Sequence, residues 1–189
     1  QQLQSYGIAH SINIDTERKI ENWLEEDFQF MNKTHWKLLR FILPSISFTL
    51  LILHITNIIG SGIFYPSILL MLVVSFGISK RITPSFTRLN KVAPQLETLS
   101  DSVSWIEKRD FKSRLLVALR SKYIDRRVLS SQTIKKLKKI LDNTDLRLNP
   151  LVFIPLNTFL FWDLQQVLIL ENWKKENKEH IGDWFHSLA

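Results

Sequence analysis

Residues 41–79 read FILPSISFTLLILHITNIIGSGIFYPSILLMLVVSFGIS, thirty-nine consecutive side chains without a formal charge. Gly60, Ser61 and Gly62, inside the stretch Asn57 to Pro66, mark a turn. They divide the run into two apolar arms of about nineteen and seventeen residues. Each arm lies near the roughly 20-residue length at which a helix crosses a bilayer. Lys37 and Arg40 precede the first arm, and Lys80 and Arg81 follow the second. By the positive-inside rule a membrane hairpin here has both open ends in the cytoplasm. The alternative is a hairpin buried against protein in a soluble cytoplasmic chain, a choice favoured by Pro44, His54, Thr56 and Asn57 in or near the first arm. That alternative requires a small domain to cover two helices that are apolar all round. The run lies too far from the chain start, and is too long, for a signal peptide.

Outward from the hairpin the charge is unevenly spread. The 189 residues carry a net +7 and fit one domain or one domain with an appendage. Residues 1–40 have a net charge of −1, residues 80–147 of +10 and residues 148–189 of −2. The positive excess therefore belongs to the stretch that follows the hairpin. Three regions result: an N-terminal helical segment over 1–40, the hairpin over 41–79, and a helical core over 80–189.

Apolar periodicity supplies the helices. Asp15 or Thr16 can cap a first helix whose face is Ile20, Trp23, Leu24, Phe28 and Met31. Beyond the hairpin, Leu89, Val92, Leu96, Leu99, Val103 and Ile106 recur at alternating steps of three and four. That seam predicts a long, lever-like helix packed lengthwise on others, with Pro94 marking a bend or a start. Asp110 can cap a short helix with Phe111, Leu115, Leu116 and Leu119, and Ser130 or Ser131 one with Ile134, Leu137, Ile140 and Leu141. Asn149 before Pro150 reads as an N-cap with proline at the first helical position. The stretch Leu151 to Leu170 is apolar almost all round, as in a helix at the centre of a bundle; the alternative, a helix in lipid, is disfavoured by Asp163, Gln165 and Gln166. Glu171 and Lys175 form an i, i+4 pair on its last exposed turn, and a final helix carries Ile181, Trp184, Phe185 and Leu188. No convincing β alternation occurs. The expected class is all-α, an elongated helical bundle with a lever-like helix and an apolar hairpin.

Several chemistries are excluded. The absence of cysteine removes disulfides, thiolate metal sites and cysteine nucleophiles. The five glycines form neither G-x-G-x-x-G nor G-x-x-x-x-G-K, so the chain has no phosphate-cradling loop. His10, His35, His54, His180 and His186 include no i, i+4 pair for a metal, and no serine sits in a nucleophile elbow. Catalytic, cofactor and metal residues are therefore assigned to none. Two constellations remain. Arg126, Arg127, Lys135, Lys136, Lys138 and Lys139 could contact DNA phosphates or anionic lipid headgroups, or could form only a solvated face. Asp163, amid Phe159, Phe161, Trp162 and Leu164, needs a partner if buried: a helix end, or an arginine. Asn157 belongs with it in one candidate polar network.

The run R-L-N-P-L-V-F-I-P-L-N-T-F-L-F-W-D-L at Arg147 to Leu164, continued by L-E-N-W-K at Leu170 to Lys174 and I-G-D-W-F at Ile181 to Phe185, resembles the stretch before the ATPase domain in a divergent, membrane-associated branch of the MutS family of DNA mismatch repair ATPases. I-E-K-R-D-F-K-S-R-L-L at Ile106 to Leu116 and S-S-Q-T-I-K-K-L at Ser130 to Leu137 are similar to that branch as well. The resemblance implies a non-catalytic core and lever region that couples a distal ligand or DNA contact to an ATPase domain beyond residue 189. It also implies ATP and Mg as cofactors of the whole protein, and a homodimer. No mismatch-reading F-x-E motif is present. The competing expectation is a membrane-surface adaptor that binds anionic lipid through residues 80–139 and has no nucleic-acid role.

Overall fold

A charge-free run marks where a helix is apolar, which differs from where it begins. In the computed structural model, which describes residues 20, 22–114, 117, 120 and 129–186, with side chains as far as 178, both hairpin helices outrun it. Helix α1 spans Thr34–Ile55 and α2 spans Ser61–Asn90. They take in Lys37, Arg40, Lys80 and Arg81, residues with good helix propensity. There follow α3 (Ala93–Lys108), α4 (Ser130–Asp142), a 3₁₀ helix (Asn143–Leu148), α5 (Pro150–Leu160) and α6 (Trp162–His186). The protein is all-α, 84% helical with no strand among the described residues. It divides into two compact units. Residues 27–87 and 143–172 form one, here the hairpin unit; 88–142, with the N-terminal residues to 26 and 173 onward, form the other, the seam unit.

In the hairpin unit the turn after α1 is set by local chemistry. Asn57 takes the left-handed conformation (φ 56°), which asparagine tolerates better than most residues. The His54 ring stacks on Phe64 at 4.1 Å, and its Nδ1 lies 3.3 Å from the Ile59 carbonyl. Pro44 sits inside α1 and lacks the N–H that would bond the Arg40 carbonyl four residues back. The Gln165 Nε2 donates to that carbonyl instead, at 2.6 Å. Asn149 caps α5 by accepting from the Leu151 N–H at 3.2 Å, with Pro150 in the first turn, as the sequence predicts.

The expected single helix from Leu151 to Leu170 is broken. Phe161 is left-handed (φ 50°, ψ 50°), α5 ends at Leu160, and α6 departs at 77° to it. Conversely, α6 runs on without interruption to His186, so Ile181 to Phe185 belong to it and form no separate helix.

In the seam unit Leu89, Val92, Leu96, Leu99, Val103 and Ile106 are all buried. They do not share one long helix. Leu89 lies in the last turn of α2, Val92 is the N-cap of α3, and Pro94 occupies its first turn. The lever-like helix is thus two helices, because proline is accommodated at a helix start far more readily than inside. α3 packs on α4 through Ile134, Leu137, Ile140 and Leu141. Ser130 and Ser131 lie within the first turn of α4 and do not precede it. Its end is capped by the buried Glu107 carboxylate, which accepts the Ser131 N–H at 3.0 Å and the Ser131 hydroxyl.

The N-terminal helix is shorter than its periodicity: helical backbone ends at Glu25, and Phe28 and Met31 fall beyond it. Asp15 and Thr16 lie outside the described residues, as do Leu115, Leu116 and Leu119. Asp110 accepts from Arg120 Nη1 at 2.9 Å and, like Phe111, is not helical.

Candidate functional site

The polar residues of the Arg147 to Leu164 motif meet in the hairpin unit. Asp163, only 2% exposed, opens α6. Arg147 grips it side-on: Nε donates to Oδ1 at 2.8 Å and Nη2 lies 2.8 Å from Oδ2. One charge-assisted hydrogen bond and a second close contact between the charges hold the pair. The guanidinium also lies 4.9 Å above the Phe86 ring and reaches Thr83 Oγ1 at 3.4 Å. Of the two partners open to Asp163 in the sequence, an arginine is the one it has.

Asn157 joins the same network. Its Oδ1 accepts the Asp163 N–H at 3.1 Å, and its Nδ2 donates to Ser79 Oγ at 2.8 Å. One amide side chain therefore caps α6 and ties α5 to α2. This explains the break at Phe161: the Asn157 acceptor, the Asp163 carboxylate and the Gln165 amide all favour starting a new helix there. The Thr158 carbonyl, left open by the break, accepts from Ser47 Oγ at 3.2 Å. Phe48 meets Phe159 and Phe76 meets Phe153, which seats α5 across both hairpin helices.

Glu171 is a further buried acid with long-range partners, and they are not the i, i+4 lysine that the spacing predicts. It is buried, and turns away from Lys175 to accept the amides of Gln29 (2.9 Å), Phe30 (3.1 Å) and Met31 (2.5 Å). Successive N–H groups converging on one carboxylate form an anion-holding nest. The nest holds the chain just before α1, and at the early end of the N-terminal helix Lys174 Nζ donates to the Trp23 and Glu26 carbonyls. Spacing could not reveal it, because the donors are backbone groups.

The basic face lies in the seam unit. Lys135, Lys136 and Lys139 are exposed on α4, opposite the buried Ile134, Leu137 and Leu141. Lys138 is engaged: it donates to Asp142 at 2.8 Å and stands 3.5 Å from Glu97. The hydrogen bond to Asp142 is the largest influence and holds its ammonium above the usual 10.5; burial opposes it, and the charges of Asp142 and Glu97 add to the rise. These lysines line an open groove of about 450 Å³ together with Glu97, Asp101 and Asp142, so its field is mixed. Arg126 and Arg127 lie outside the described residues. Among the described residues no cluster of three metal-ligating side chains occurs.

The largest feature is apolar. Of the 22 large hydrophobic side chains exposed among the described residues, 21 belong to the hairpin unit, so the uncovered surface is concentrated there. Helices α1 and α2 are each long and apolar enough to cross a membrane, and their apolar windows are only 6% and 17% buried. No known protein family, curated protein or solved structure matches this chain.

Proposed function

We propose that this chain is a non-catalytic, membrane-anchored helical connector of a MutS-like ATPase, with α1 and α2 spanning the bilayer and their open ends in the cytoplasm. The observation that carries the anchor is the uncovered apolar surface of both helices, far beyond what a soluble monomer tolerates. Support for the connector comes from the motif itself: Arg147, Asn149, Asn157, Asp163, Glu171 and Trp173 each have a defined packing or capping contact. A second reading, an adaptor for anionic lipid, draws on the exposed Lys135, Lys136 and Lys139.

Carbonate extraction tests the anchor. The native chain is expected in the membrane pellet. Leu70→Arg with Val73→Arg is expected to release or aggregate it, since each charge at mid-span costs roughly 2.5–3.5 kcal/mol. Release of the native chain by carbonate would refute the anchor. The family assignment is tested by whether the natural polypeptide that contains these residues hydrolyses Mg-ATP, and absence of turnover would rule it out.

Charge reversal of Lys135, Lys136 and Lys139 to Glu separates the two readings. Lost binding to anionic vesicles with duplex DNA binding unchanged favours the adaptor, and the converse favours the nucleic-acid contact. With Z phosphate contacts removed, the log–log salt dependence for duplex DNA falls by about 0.9Z. No change in either leaves the lysines as a solvated face.

A further inference from the structure

Residues 148–162 form a second uncharged run, fifteen residues between Arg147 and Asp163. Its two flanking charges are bonded to each other, so the run leaves and returns to one place. That place coincides with both ends of the first uncharged run. Arg147 reaches Thr83, just past Lys80 and Arg81, where the run in α2 ends. Two residues past Asp163, Gln165 bonds Arg40, where the run in α1 begins: Arg40 Nε donates to its Oε1 at 3.2 Å and its Nε2 donates to the Arg40 carbonyl. Four boundaries between charged and uncharged sequence are thus held in one layer by an ion pair and side-chain hydrogen bonds.

On the uncharged side of that layer the segment behaves as membrane-embedded backbone must. α5 has eleven residues, about 16 Å of helix against a hydrocarbon core of roughly 30 Å, too short to cross. Its Thr158 end meets Ser47, seven residues into α1 from Arg40 and so about 10 Å along that helix. Irregular backbone at such depth is tolerated only when protein satisfies it. Phe161, at the break, is buried, and the carbonyls of Asn157, Thr158 and Leu160 have partners. On α2 the facing residues Ser75, Ser79 and Thr83 are small, and each hydroxyl is bonded back into its own helix. The opposite face is apolar and uncovered: Leu148 is 82% exposed and Leu151 87%, with Val152 and Ile154 also exposed.

We infer that residues 148–162 are a re-entrant membrane segment, which enters and leaves the bilayer from the side of the hairpin's open end and whose outer face is covered by lipid acyl chains. The inference rests on α1 and α2 being membrane-spanning.

The absence of cysteine makes the test direct. Single variants Leu151→Cys and Ile154→Cys, with Val73→Cys as a hairpin reference and Lys136→Cys as an aqueous one, are made in the intact chain in sealed vesicles and exposed to a membrane-impermeant maleimide. Leu151→Cys and Ile154→Cys are expected to react at least about tenfold more slowly than Lys136→Cys, as Val73→Cys does, and to react fully once unfolded in detergent. Asp145→Cys and Asn172→Cys are expected to label from the same side as Lys37→Cys. Fast labelling of Leu151→Cys and Ile154→Cys with Val73→Cys protected would overturn the inference and leave the hairpin standing. Labelling of Asp145→Cys and Asn172→Cys from opposite sides would overturn it in favour of a third crossing. Oxidative cross-linking of Leu151→Cys between two copies would replace lipid by a second chain. Fast labelling of Val73→Cys would remove the membrane reading altogether.

Discussion

Asp163→Ala is expected to destabilise the hairpin unit by about 3–5 kcal/mol, the cost of removing one partner from a buried ion pair. Asp163 is 2% exposed, and the Arg147 side chain is 17% exposed, with its guanidinium against Phe86 and Phe153. Alanine leaves that cation without its carboxylate, which is worse than having neither charge. Denaturant unfolding in mild detergent would read the loss. The paired variant Arg147→Leu with Asp163→Leu is expected to recover most of it, since replacing a whole buried pair by apolar groups is often neutral or better. A double variant as unstable as the single one would show that the hydrogen bonds around the pair, and not the unpaired charge, carry the cost.

Glu171→Ala is expected to cost about 3 kcal/mol, because it strands the amides of Gln29, Phe30 and Met31, of which Phe30 is buried. Glu171→Gln keeps a single carbonyl acceptor and is expected to lose roughly half as much. Amide hydrogen exchange at 29–31 is the specific readout. Those three amides should lose protection in Glu171→Ala while the middle of α1 keeps its own. Unchanged protection at Phe30 would mean that the nest does not hold the chain before α1.

Features written in periodicity and composition were legible before the structure. The steps from Leu89 to Ile106 name the buried seam correctly, because apolar burial follows the residue type wherever the helix is interrupted. The 41–79 run gives the hairpin, and Asn149 with Pro150 gives the start of α5. Features that depend on distant partners were not legible. Nothing near Phe161 announces a left-handed residue; Asn157, Gln165 and Arg147 impose it from both sides in the chain. The i, i+4 relation of Glu171 to Lys175 is a contact worth only tenths of a kcal/mol, and three backbone amides, that of buried Phe30 among them, outweigh it. Asn157 and Asp163 were visible as polar residues in apolar surroundings. Their arginine could have been found by asking which charge stands at the other end of the uncharged run.

The hairpin unit is discontinuous in sequence, and this dictates an order of assembly. On a ribosome, residues 34–87 emerge about 60 residues ahead of 143–172, on the order of 3–12 s at ordinary elongation rates. Throughout that delay Ser47 and Ser79 lack Thr158 and Asn157, and the amides of residues 29–31 lack Glu171. The growing chain therefore passes through a stage with two helices formed and their latch still unmade. Closure must then be a late event that a stalled or truncated nascent chain never reaches.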